Sequence, residues 1–310
     1  MKLVKAVKPY AFNGKPSFKQ QPYDAWVIVG GKTAEAHYPP RILHGLVYKH
    51  SPMGLGQNKK EARLRFVEPV SLSFDTFPDY MMYEIIPMIW DCWPMYFEKM
   101  VHWLRKYRIR TAIFTSSQTA ERMRNEFPDL NILAVTEGIN TQFYHAGEAL
   151  ADRNIDLLEY GSMERNFFRE WVSGIKHINR SNADGCMDTF GQLTATMSHA
   201  KVTIALPRCD TAPEMTGDIE TLTQRFWECM LSRTILLGRA PKELVDLIGY
   251  NPVISLDRSN PEMQVRDIVK HTADYQELVD KNREVALAVA PWEVRMLQVR
   301  EWLASLGYRI

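Results

Sequence analysis

Cysteine is scarce and unpaired in this sequence. The 310 residues hold four, Cys92, Cys186, Cys209 and Cys229, and no two form a Cys-x-x-Cys pair. A thioredoxin motif or a zinc ribbon therefore finds no support. Three sit in apolar or aromatic stretches and read as small core residues in a reducing compartment. Long apolar runs are missing too. Stretches such as Ile85–Trp90 fall far short of the roughly 18–20 residues that a membrane span needs. The first residues, MKLVKAVKPY, lack the apolar core of a signal peptide. The expected location is cytoplasmic, and the glycosylation sequon Asn179-Arg180-Ser181 reads as chance. Net charge is nearly absent, at +1, so no bulk field exists to capture nucleic acid. Internal repeats and low-complexity linkers are absent as well. What is present is the mix of an ordinary globular protein, 45% apolar and 24% charged, with length for two domains.

Charge is uneven along the chain. Residues 1–150 carry 19 Lys+Arg and 14 Asp+Glu, and the remainder 19 and 23. Ordinary surface variation accounts for this split, although a basic half also suits an anionic partner or a weak peripheral contact with a membrane.

The first 80 residues are the hardest to read. Ala25–Val29, before Gly30-Gly31, reads as a strand and turn, and Arg65–Leu72 as a strand. Pro39-Pro40 and 51–60 read as loops. From residue 81 the alternation is clear. Tyr83–Trp90 reads as a buried strand, Pro94–Tyr107 as a helix, Thr111–Thr115 as a strand, Gln118–Phe127 as a helix capped by Ser117, and Ile132–Thr136 as a strand. The rhythm repeats with strands at Asp156–Tyr160, Val202–Leu206, Thr234–Leu237 and Val253–Leu256. Helices are expected at Arg165–Ile175, Gly191–Ala200, Leu222–Leu231, Pro241–Ile248, Met263–His271, Asp274–Val289 and Pro291–Leu306. In that last helix Trp292, Val294, Met296, Leu297 and Trp302 form the expected apolar face. Alternating strands and helices with short loops are the signature of parallel sheets, here in two α/β units. Ligands of such folds bind at the carboxyl ends of the strands.

Chemistry concentrates in Glu220–Gly238, ETLTQRFWECMLSRTILLG. Two glutamates stand with seven residues between them. A helix begins near Thr223 and Gln224, and its first amides have no intrahelical partner and lie at the positive end of the dipole. Such a terminus binds phosphate readily. Arg225 adds a charged donor that can reach an anion bidentately. Glu228, one turn on, can accept hydrogen bonds from two hydroxyls, as a ribose would offer. Glu220 precedes the helix, where a sugar beyond a diphosphate would lie. Two glutamates at this spacing also arise by chance, and a mid-helix glutamate often only faces solvent.

At these residues the chain resembles retaining GT-B glycosyltransferases (the family 1/4-like and CgeB-like group). Glu220 to Glu228 looks like their E-x7-E element, and Arg225–Gly238 like the helix and strand that follow. LLEYGSMERN (Leu157–Asn166) resembles the first strand and glycine turn of their nucleotide-binding domain. TEGINTQFY (Thr136–Tyr144) resembles the P-N-G-[VI]-D-T-x-x-[FY] segment leading into it. The resemblance covers residues 81–310 and is strongest over 157–238.

It implies two Rossmann-like domains facing each other across a cleft. Residues 1–145 would form the acceptor side and 146–290 the nucleotide-sugar side, with 291–310 a helix crossing back to the first domain. It implies transfer of a sugar from a nucleoside-diphosphate sugar to a glycan or glycolipid acceptor, with retention and with no metal or cofactor. Glu228 would bind ribose, and Glu220 the donor sugar. Thr223, Gln224 and Arg225 would hold the diphosphate. Gly161 and Ser162 would let the phosphates approach the backbone, with Arg165 as cation, and Arg208 would lie near the base. The chain departs from the family at Ser162, where an arginine is usual, and at Thr221-Leu222-Thr223, where the family often has Gly-Phe-Gly. Other reactions on the same architecture, epimerisation or hydrolysis of a nucleotide sugar, or a non-catalytic nucleotide-sugar-binding role, remain alternatives.

Asp91, after a strand in WDCWP, is a second catalytic candidate that could orient an acceptor hydroxyl. The competing reading has it cap the helix from Pro94. His102, beside Trp103, reads as packed, and His44, His50 and His145 fall in or near loops. Gly30-Gly31-Lys32-Thr33 resembles a P-loop end, but the required earlier glycine is Trp26. His, Cys and carboxylates show no metal-ligand spacing.

Overall fold

The computed structural model describes residues 1–10, 18–38, 45, 60–161, 166–168, 170–179 and 185–310. The chain forms two compact units. The first comprises Met1–Glu137, Glu214–Thr221 and Trp292–Ile310; the second comprises Gly138–Pro213 and Leu222–Pro291.

The first unit is built on a six-stranded parallel sheet. Its strands are β1 (Leu3–Val7), β2 (Thr33–Ala34), β3 (Glu61–Val67), β4 (Glu84–Ile89), β5 (Thr111–Phe114) and β6 (Asn131–Ala134), in the order β2-β1-β3-β4-β5-β6. Parallel neighbours need crossovers. The helices Pro94–Lys106 and Ser117–Glu126 supply those from β4 to β5 and from β5 to β6. Strand residues alternate between two cores, as the two-residue period demands. Ile85, Ile89, Ala112 and Phe114 enter one. Ile86, Met88 and Ile113 enter the other, beside Trp292, Met296, Val299 and Leu303 of the last helix, Trp292–Ser305.

The second unit carries five parallel strands: β7 (Ile155–Leu158), β8 (His177–Ile178), β9 (Ala200–Ala205), β10 (Ile235–Gly238) and β11 (Val253–Ser255), in the order β11-β10-β9-β7-β8. Leu157, Val202, Ile204, Ile235 and Leu237 pack on one face, and Leu158, Ala205 and Leu236 on the other. Each sheet thus begins in the doubly wound order in which the second strand flanks the first and the third lies on its other side. The strand order reverses beside β1 and beside β7. In such sheets the crevice for ligands opens there, at the carboxyl ends of the strands. The helix Gln224–Leu231 runs back between β9 and β10, so its N-terminus lies at the carboxyl ends of the strands.

Five sequence readings are corrected. Ala25–Val29 is not a strand but part of the helix Gln20–Ile28. Pro22, Ala25 and Trp26 recur at helical spacing and are buried together. The strand expected at Arg65–Leu72 lies earlier, at Glu61–Val67, and Leu72 opens a short helix, Leu72–Thr76. No helix forms among the described residues 166–168 and 170–175. The backbone N–H groups of Phe167 and Phe168 donate to Glu159 Oε1 at 2.6 and 3.3 Å, and that of Val172 to His177 Nδ1 at 3.4 Å, instead of to carbonyls one turn back. Ser116, not Ser117, caps the helix Ser117–Glu126, its hydroxyl accepting from Thr119 N. In the last helix the buried stripe is Trp292, Met296, Val299 and Leu303, while Val294 and Leu297 are exposed. A helix buries positions three and four apart, and those two fall off the stripe.

Candidate functional site

At the carboxyl end of β7 the chain passes through Tyr160 into Gly161, which has φ +104°. A Cβ there would lie 2.6 Å from an Nη atom of Arg225. The glycine thus leaves room for a guanidinium as well as adopting a backbone that other residues rarely take. Arg225, in the first turn of the helix Gln224–Leu231, donates to the Tyr160 carbonyl at 2.7 Å. Its guanidinium carbon stands 4.5 Å from the centroid of the Tyr160 ring. Gly161→Ala should cost about 1–3 kcal/mol in thermal unfolding, from backbone strain, since the arginine tip can move aside. Gly174→Ala, at φ +78° with open space around it, serves as the strain-only control.

Glu228 lies one turn further along the helix and is half-buried. Its Oε1 accepts from the Tyr144 hydroxyl at 3.1 Å and its Oε2 from the Tyr160 hydroxyl at 2.7 Å. Burial, with the neighbouring Glu228 charge, raises both phenols above the ordinary tyrosine value, so both stay protonated and donate. Each carboxylate oxygen keeps a lone pair beyond the tyrosine bond. Burial likewise pushes the Cys229 thiol up to about 11 and that of Cys92 up to about 12.

The second unit therefore brings Gly161, Arg225 and Glu228 together around Tyr160. Gln224 opens the same helix, and its side-chain amide donates to the Gly138 carbonyl at 3.2 Å. Thr223 is the N-cap, without a side-chain capping bond. Arg208 stands just past the end of β9, as the first residue of the helical turn Arg208–Thr211 rather than in an open loop. Ser162, Arg165, His44 and His50 lie outside the described residues.

Glu220 and Asp91 belong to the first unit. The Glu220 amide donates to Gln118 Oε1 at 2.7 Å. Asp91 follows β4 with φ +49°, a conformation uncommon outside glycine and found disproportionately at functional sites. It lines a recess with Thr115, Ser116, Glu137 and Thr221. The helix from Pro94 has Trp93 as its N-cap and no side-chain capping bond, so the capping role does not apply. His102 is exposed, contrary to the packed reading, while Trp103 is buried. Among the described residues no group of three or more His, Cys, Asp or Glu is placed to hold a metal ion. No helix among them is long and apolar enough to cross a membrane.

The two tyrosines are the residues around Glu228 that sequence reasoning passed over. Tyr144 ends the segment TEGINTQFY, and Tyr160 directly precedes the glycine turn. Neither carries a spacing signal, because their partner is 84 and 68 residues away.

No family model and no curated protein matches the chain. Solved structures do. Sucrose-phosphate synthase from Thermosynechococcus elongatus aligns with a TM-score of 0.64 at 11% identity, over 99% of each chain. HepE of Anabaena, solved with UDP and glucose, aligns with a TM-score of 0.61 at 8% identity, over 97% of this chain and 99% of that one. TarM of S. aureus aligns with a TM-score of 0.56 at 9% identity, over 84% of this chain, and this chain spans 57% of TarM's length. The likeness is one of fold, and the fold, two parallel-stranded α/β units, is that of GT-B glycosyltransferases.

Proposed function

We propose that this protein transfers a sugar from a nucleoside-diphosphate sugar to a glycan or glycolipid acceptor, with retention at the anomeric carbon and without a metal. The observation that carries the reading is the Glu228 carboxylate, held by two tyrosines one turn into a helix that starts at the carboxyl ends of β7 and β9. The fold supports it, and so does the likeness to HepE, solved in complex with UDP-glucose.

In this reading the ribose hydroxyls donate to Glu228. The diphosphate lies at the N-terminus of the helix, against the amides of Thr223 and Gln224 and the guanidinium of Arg225. These groups face the negative charge that develops on the leaving diphosphate, which is where preorganised donors lower a barrier most. Arg208 lies toward the base. Asp91 orients the acceptor hydroxyl, and Glu220 contacts the donor sugar.

The test is a thermal-shift titration with UDP, GDP, ADP, CMP and dTDP, each with and without EDTA. A ligand that binds only the folded state, at about a hundred times its Kd, adds roughly 2.7 kcal/mol of stability. We expect one nucleoside diphosphate to raise the melting temperature by a few degrees, EDTA to leave that shift unchanged, and Glu228→Ala to remove it. Absence of any shift overturns the donor site, and loss of the shift in EDTA overturns metal independence.

A further inference from the structure

We infer that Tyr144 and Tyr160 are positioning residues that lock the Glu228 carboxylate into an acceptor pair matched to a vicinal diol, and so make the site select a ribonucleotide over its 2′-deoxy counterpart. This rests on the reading of Glu228 as the ribose-binding group.

The two phenols come from separate parts of the second unit. Tyr144 follows the 3-10 turn Thr141–Phe143, which the Asn140 side chain holds by accepting from Gln142 N at 3.0 Å. Tyr160 follows β7 and is clasped by Arg225 through its carbonyl and its ring. Both residues are buried, at 4% and 6% exposure. Each sends its hydroxyl to a different oxygen of the same carboxylate. A side-chain carboxylate on its own turns freely about its last bond, whose preference is broad and two-fold. With one fixed donor on each oxygen that rotation is stopped. Each hydroxyl has one proton, which it donates, and the carboxylate oxygens can only accept. What remains to a ligand is one lone pair on each of two neighbouring oxygens.

That arrangement asks for two donors side by side on adjacent carbons. A 2′,3′-diol supplies them. A 2′-deoxy sugar supplies one, and the second oxygen then keeps only its tyrosine bond, with its remaining lone pair unused. Sites built around a ligand hydroxyl reject the analogue lacking it, because their own polar group goes unpaired. The expected discrimination is roughly ten- to a hundredfold in Kd. Without the clamp the carboxylate can rotate to meet a single hydroxyl or water, and discrimination falls.

The experiment is calorimetric titration of wild type, Tyr144→Phe, Tyr160→Phe and Glu228→Ala with three pairs: UDP and 2′-deoxy-UDP, GDP and 2′-deoxy-GDP, ADP and 2′-deoxy-ADP. Phenylalanine keeps the ring and, at position 160, the carbonyl that Arg225 needs, so the clamp is lost, together at position 160 with the hydroxyl's contact to Cys229 Sγ at 3.6 Å. Melting temperatures without ligand are recorded alongside, and either tyrosine variant suffices if the other fails to fold. We expect the wild type to prefer the ribonucleotide of the pair it binds at least tenfold, and each folded tyrosine variant to shrink that preference to about threefold or less. A wild type without preference overturns the inference. Tyrosine variants with the wild-type ratio overturn it too, while leaving Glu228 as the ribose group if Glu228→Ala abolishes the preference or the binding itself. A Glu228→Ala variant that binds and discriminates as the wild type does overturns the underlying reading and the clamp together.

Discussion

Glu159→Ala should lower the stability of the protein by about 3–5 kcal/mol, the range for breaking a buried charged network by removing one partner. Glu159 directly follows β7 and is 2% exposed. Its Oε1 accepts the amides of Phe167 and Phe168, and its Oε2 stands 3.0 Å from His177 Nε2. His177 Nδ1 accepts from the Val172 amide, which leaves Nε2 to carry the proton that goes to Glu159. Alanine would leave these three donors facing an apolar void. An unpaired buried donor costs about 1–3 kcal/mol, and the losses are not simply additive. Glu159→Gln sharpens the test. Its carbonyl can still serve Phe167 and Phe168, but its NH2 would oppose the His177 N–H. It should lose less than the alanine variant and clearly more than nothing. Urea unfolding followed by circular dichroism gives the answer. An alanine variant within about 0.5 kcal/mol of wild type would show that the carboxylate does not organise the segment after β7.

Gly238→Ala is expected to cost about 3 kcal/mol or more. Gly238 ends β10 at φ +156°, in register with Ala205 of β9 and Ser255 of β11. A Cβ would lie 2.0 Å from the Ala205 carbonyl oxygen and 2.7 Å from its carbon. These are backbone atoms of the neighbouring strand and cannot rotate away, unlike the arginine tip that faces Gly161. The strands would have to part where Arg239 N donates to the Ala205 carbonyl and Leu256 N to that of Gly238, each at 3.0 Å. Since β9 also leads to Arg208, nucleotide binding should weaken in the same variant. Thermal unfolding compared across Gly238→Ala, Gly161→Ala and Gly174→Ala should rank the first as by far the most damaging. Equal losses at all three would mean that strain alone, without the clash, sets the cost.

Most of the parallel-sheet rhythm was legible from residue 81 onward. Strands such as 111–114 and 200–205 are short, mostly apolar runs between helices, which suits buried parallel strands. The first 80 residues were not legible, for a physical reason. β3 reads EARLRFV, and its two arginines suggest a surface. Both are buried. Arg63 stands over the Tyr83 ring and pairs with Glu61, and Arg65 pairs with Asp79 at 2.7 Å and donates to the Tyr38 hydroxyl. A buried charge must be compensated, and while Glu61 does this for Arg63 within the strand, the partners of Arg65 are distant in the sequence and leave no local pattern.

The candidate site divides the same way. The helix start at Gln224, the first-turn Arg225, the glycine turn at 161 and the spacing of Glu220 and Glu228 are local, so the amino-acid sequence alone determined them. Local rules also limited what the helix could do, since the amides of its first turn and a carboxylate one turn later are fixed by 3.6 residues per turn. Only the tertiary structure decided that Glu228 is clasped by Tyr144 and Tyr160, and that Gly161 makes space for Arg225. It alone assigned Glu220 to the unit that contains Asp91, although the next seven residues lead straight to Glu228. Hydrogen bonds across 68 and 84 residues depend on how the sheet orders its strands, and chain-local periodicity carries no record of that order.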